Sequence, residues 1–214
     1  MLGCFRQNLA DYLRANIVAY FFIILIFTIG VVVGAFAVKT LPDEQKTELI
    51  SYLRIFFTGL SRGTEGIGNI SSNMLSDVII NNVKTIVLMW VLGFTIVGIP
   101  FVLFILFTRG FIIGFTVGFL INEYIMKGLL FALVSVLPHN FFAVPAILIT
   151  GVSATSFSTM LVRHKIHGKK LLYESLGYSA LCFIMLLAML VAALIEVYIS
   201  PVFMKIVASF LLKE

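Results

Sequence analysis

Long apolar runs without a charged residue alternate with short polar segments along this chain. The first, Ile17 to Val38, covers 22 positions. At 1.5 Å per residue it reaches about 33 Å, enough for a hydrocarbon core of about 30 Å. Thr85 to Thr108 is a second run, ended by Arg109, and a third extends from Gly110 to the neighbourhood of Glu123. From Gly128 to Val162 there is no charge for 35 residues. One straight helix of that length would reach about 52 Å, too far for a single crossing. Pro138, His139 and Asn140 interrupt the run and Pro145 follows. A proline lacks a backbone donor and clashes with the preceding turn. Leu129–Leu137 therefore reads as a short interfacial or re-entrant segment, and Phe141–Val162 as the fourth span. Leu176 to Ile195 supplies the fifth. The pattern predicts an all-α, polytopic membrane bundle forming a single membrane domain over residues 1–214. Its spans are expected at about 17–38, 85–108, 110–125, 141–162 and 176–195, with a loop at 39–84 and a tail at 196–214.

Composition strengthens the membrane reading. Of 214 residues, 61% are hydrophobic and 12% charged, against about 25% charged in soluble domains. A mean hydropathy of +1.11 and 21 Phe exceed what a small soluble particle can hide. A soluble enzyme, a disordered chain and a secreted disulfide scaffold are excluded. Cys4 and Cys182 lie far apart, one in a polar tail and one in an apolar run, and read as two unpaired thiols. Arg6 and Arg14 precede an apolar run that ends in Ala35-Phe36-Ala37. That run exceeds a signal peptide's usual apolar segment, and Asp11 stands in the leader, so cleavage is not expected.

Charge placement predicts an orientation. The net charge is +5, and basic loops collect on the cytoplasmic side. Arg163, Lys165, Lys169 and Lys170 crowd one connection without an acid among them. The N-terminal tail adds Arg6 and Arg14 and the tight turn between the second and third spans adds Arg109, whereas the 39–84 loop balances five basic against five acidic residues. With five spans, the N-terminus falls inside, and the loop and C-terminal tail fall outside. No basic patch with interleaved aromatics lies outside the apolar spans, so nucleic-acid binding is not expected.

The outer loop opens with Leu41-Pro42-Asp43-Glu44, a helix start with acids in the first turn. Leu49, Leu53, Phe56, Phe57 and Leu60 then share one helical face. In the tail, Phe203, Ile206, Val207, Phe210 and Leu211 do the same. Such faces either pack on their own bundle at the outer interface or dock another protein.

Small residues point to helix contacts. Gly30 and Gly34 form one GxxxG unit, and Gly110, Gly114 and Gly118 form two more. In lipid, helices associate through close backbone approach at such residues. The contact is either within the chain or a homo-oligomer seam. Catalytic chemistry is not apparent. There is no HExxH, Walker loop, CxxC or GxGxxG, so no catalytic residue, metal or cofactor is expected. Gly151-Val152-Ser153-Ala154 resembles part of a serine-nucleophile elbow, but Thr155 stands where its second glycine belongs. His139 reads as bonded to a carbonyl freed by the helix break. A carrier needs ionisable groups near the midplane. With the spans drawn as above there are none, and Glu123, Glu174 and Glu196 all fall at span ends.

Two stretches carry a family resemblance. One runs through Asn82, Trp90, Gly93, Gly98-Ile99-Pro100, Arg109-Gly110 and Gly114 to Phe119. The other is Ser135 to Asn140 with Pro145-Ala146. Together with length and span order, they make the chain resemble the stage II sporulation protein M family, nearly end to end. The broader family often shows P-H-G-x-x-E-x-P-A, where this chain has Asn140 for the glycine and Ala143 for the acid. The resemblance implies a non-enzymatic anchor of a peptidoglycan-degrading assembly in forespore engulfment. Stage II sporulation proteins D and P would be its partners, at the septal membrane. A permease-like subunit moving a solute is the alternative.

Overall fold

A computed structural model describes residues 16–61, 67–162 and 169–204. Helix α1 is Ile17–Ala37, continued by a 3-10 turn at Val38–Thr40; α2 is Asp43–Ser61 and α3 Ile67–Gly93. Helix α4 runs from Gly98 to Val162 and α5 from Lys169 to Leu194, followed by a π-helical turn at Ile195–Ile199. The described residues contain no strand. Five stretches are long and apolar enough to cross a membrane: Ile17–Thr40, Leu75–Gly93, Gly98–Glu123, Gly128–Val162 and Leu171–Met204.

The number of spans matches the apolar pattern, but the bounds of four of them do not. The second span is Leu75–Gly93 rather than 85–108, and the third is Gly98–Glu123 rather than 110–125. The chain turns at Phe94–Val97, not at Arg109. That turn is apolar, so a search for charges passes over it. Its geometry is local. Phe94 N donates to the Val91 carbonyl at 3.1 Å, Thr95 N to Leu92 at 3.0 Å, and Gly98 N to Thr95 at 3.1 Å. A Cβ at position 98 would run into the Leu92 carbonyl, so glycine permits the tight approach. Pro100 then sits in the first turn of α4, where a missing N–H costs nothing.

The fourth span is also longer than expected. Pro138 and Pro145 lie inside a continuous helix. Leu129–Leu137 is therefore helical and continuous with Phe141–Val162, without the break expected at Pro138. Membrane helices tolerate proline where neighbouring groups satisfy the freed backbone. The two halves of α4 lie side by side. A straight helix would separate Ile113 and Asn140 by about 40 Å, yet both line one cavity. The reversal falls between Leu120 and Phe131, which pack in one cluster. The fifth span extends past Ile195 to Met204 through the π-helical turn.

Two contacts organise the bundle. Along the first, α1 lies backbone to backbone on the first half of α4. A Cβ on Gly30 or Gly34 would strike the carbonyl of Phe107 or Phe111. One on Gly110 or Gly114 would strike that of Phe27 or Val31, and one on Gly118 would come within 2.9 Å of the Ala35 Cα. The second contact pins the Phe94–Val97 turn. The Tyr178 hydroxyl reaches the carbonyls of Met89 at 3.2 Å and Trp90 at 3.0 Å. Trp90 Nε1 donates to Ser179 Oγ at 3.0 Å, and Ser158 Oγ to the Thr95 carbonyl at 2.8 Å. Phe157 stacks on Tyr178 with centroids 4.8 Å apart. Outward, the exposed Phe21, Phe22, Phe101, Phe104 and Phe141 leave an apolar surface suited to lipid.

Candidate functional site

Moving the turn to Phe94–Val97 carries Arg109 from a loop into the interior of a span. It stands eleven residues after Gly98, about 16 Å along the helix. A guanidinium at that depth costs about 2.5–3.5 kcal/mol on insertion scales and faces the bundle interior or water. Arg109 donates from one Nη to Thr85 Oγ1 at 2.7 Å. Thr85 belongs to α3, and Asn82, one turn earlier on that helix, is buried.

The second half of α4 contributes His139 and Asn140, and the π-helical turn contributes Glu196. With Asn82, Arg109 and Thr116 they line one cavity of about 300 Å³. Arg109, His139 and Glu196 thus face one space. No ion pair joins them; the described residues form one such contact, Lys46 with Asp43. Asn140 Nδ2 donates to the Val136 carbonyl at 2.8 Å and lies 3.0 Å from His139 Nε2. The amide being the donor, Nε2 accepts and the ring hydrogen resides on Nδ1.

The expected bond from His139 to a freed carbonyl does not close. Nδ1 is buried without a hydrogen-bond partner. The Ser135 carbonyl, one turn earlier, acts on the ring without good bonding geometry. The expectation that no ionisable group lies inside the spans is likewise overturned. Arg109, His139 and Glu196 enter a common cavity from within the third, fourth and fifth spans. Two signals in the sequence pointed there: Gly98-Ile99-Pro100 as a helix start, and Asn81-Asn82 with Thr85 at helical spacing.

Gly30, Gly34, Gly110, Gly114 and Gly118 come together in the α1–α4 seam. Pro138, His139, Asn140 and Pro145 lie inside the fourth span, His139 and Asn140 at the cavity. Leu49 is half-buried on α2, while the side chains of Leu53, Phe56, Phe57 and Leu60 lie outside the described residues. The described part of α2 packs on no other helix. Phe203 is exposed, and the rest of the tail face lies outside the described residues. Ser153 donates to the Ile149 carbonyl at 2.8 Å and stands fourteen residues from His139 on one helix, about 21 Å away. No acid–base partnership joins them. Among the described residues no group of three His, Cys, Asp or Glu could hold a metal.

The stage II sporulation protein M family matches residues 23–201. The chain belongs to that family. No curated protein and no solved structure matches it. The matched region begins within α1 and ends beyond the π-helical turn, so it takes in every polar residue of the cavity. Family and fold together make this a sporulation-related, multi-pass membrane protein.

Proposed function

We propose that the protein is a non-enzymatic membrane anchor for peptidoglycan remodelling in forespore engulfment. In this reading it recruits stage II sporulation proteins D and P to the septal membrane. Its N-terminus is cytoplasmic, and α2 and the C-terminal tail face the wall. The observation that carries the reading is α2, an amphipathic helix whose described residues pack on nothing else in the bundle. The basic connection at 163–170 supports the orientation. Replacing Leu53 and Phe57 with Asp is expected to abolish co-purification with either partner while membrane insertion stays normal. Unchanged co-purification removes the docking face from the account.

A second reading has a specific observation of its own. Arg109, His139 and Glu196 inside the spans are what a solute-moving subunit requires. Solute uptake by reconstituted protein without partners, lost in Arg109→Gln, would favour it over the anchor.

A further inference from the structure

The cavity holds one charge of each sign, and no ion pair or hydrogen bond joins the two. Arg109 uses one of its five N–H groups on Thr85, and the others meet no acceptor among the described residues. Glu196 accepts no hydrogen bond from a described residue. The His139 Nδ1 hydrogen is buried and unpaired. Asn82, 7% exposed, also makes no hydrogen bond among the described residues. Buried polar groups left this way are expensive, and more so in lipid. Glu196 is presented by a π-helical turn, a distortion that recurs at functional sites.

The cavity's volume, about 300 Å³, is that of a small binding pocket. Beside it an apolar groove passes Leu129, Leu133 and Leu137. Phe27, Ile113, Val136, Asn140 and Val144 line both, and Leu137 and Phe141 stand 60% and 72% exposed at the lipid side. The groove thus adjoins the polar cavity on its lipid side. An anion alone would leave Glu196 opposed, and a cation alone would leave Arg109 opposed. A group carrying both signs satisfies each.

We propose that this cavity binds a zwitterionic group, with its phosphate or carboxylate on Arg109 and Asn82 and its primary ammonium on Glu196. That chemistry is shared by the phosphoethanolamine head of a membrane lipid and by small free zwitterions. The proposal is independent of the anchoring role.

The test is native mass spectrometry of the full chain in detergent, titrated with phosphatidylethanolamine, phosphatidylglycerol and soluble glycerophosphoethanolamine. Phosphatidylethanolamine is expected to bind at least about tenfold tighter than phosphatidylglycerol, the margin of one charge-assisted hydrogen bond. Glu196→Gln should erase that margin. The neutral pair Arg109→Gln with Glu196→Gln strands no charge, and it should lose binding while keeping the wild-type melting profile. Leu133→Trp, which narrows the groove, should weaken the lipid alone. Binding of the lipid without the soluble head assigns the site to lipid, and binding of both assigns it to the head itself. Equal retention of the two lipids, or wild-type binding by the double variant, overturns the proposal.

Discussion

The glycine seam and the polar cavity both hold α4 to its neighbours, by opposite means. Along the seam, side chains are absent so that backbones can touch, and Gly34 and Gly114 lie against carbonyls of the facing helix. In the cavity, polar side chains from α3, both halves of α4 and the π-helical turn face a space of about 300 Å³. Lipid offers no hydrophobic drive for helix association, so close packing is what stabilises such a bundle. The seam supplies it. The cavity works against it, as a functional site does when placed in a stable scaffold.

The sharpest way to break this contrast is to fill the seam. Gly114→Leu puts a side chain into the Val31 carbonyl with no flexible atom to yield. It should cost about 3 kcal/mol or more, beyond the usual range for overpacking, and a loss of folded protein in a detergent melt measures it. Next, Arg109→Ala removes the hydrogen bond to Thr85 and the cation that faces Glu196 across the cavity. A loss of about 2–3 kcal/mol is expected, largely recovered when Glu196→Gln is added, and a double-mutant cycle reads that coupling. Tyr178→Phe removes the hydroxyl bonded to the Met89 and Trp90 carbonyls and should cost about 1 kcal/mol by the same melt. Smallest is Gly177→Ala, where an added Cβ meets nothing within 4 Å. It should be neutral or stabilising by up to about 1 kcal/mol through helix propensity.

The two regions also differ in how they are written in the chain. Seam residues recur at four-residue steps within one helix, so Gly110, Gly114 and Gly118 announce a contact face before any partner is known. The cavity is assembled from single residues on four helical segments: Asn82, Arg109, His139 with Asn140, and Glu196. None has local periodicity, and their meeting is a property of tertiary structure alone. Arg109 was the more deceptive because charge marks most membrane boundaries. Here the boundary is the uncharged Phe94–Val97 turn, and the charge is in the interior. Proline misled in the same way at Pro138, where the membrane helix continues through a residue that would end a soluble one. The helical class and the number of crossings were legible because they depend only on summed hydropathy and length.

The central claim is that the chain turns at Phe94–Val97 and buries position 109 within a span. Single cysteines at Ile96 and Thr108, in a variant lacking Cys4 and Cys182, test it with a membrane-impermeant maleimide on permeabilised cells. The account predicts labelling at Ile96→Cys and protection at Thr108→Cys. Protection at 96 with labelling at 108 would return Arg109 to a loop and dissolve the cavity.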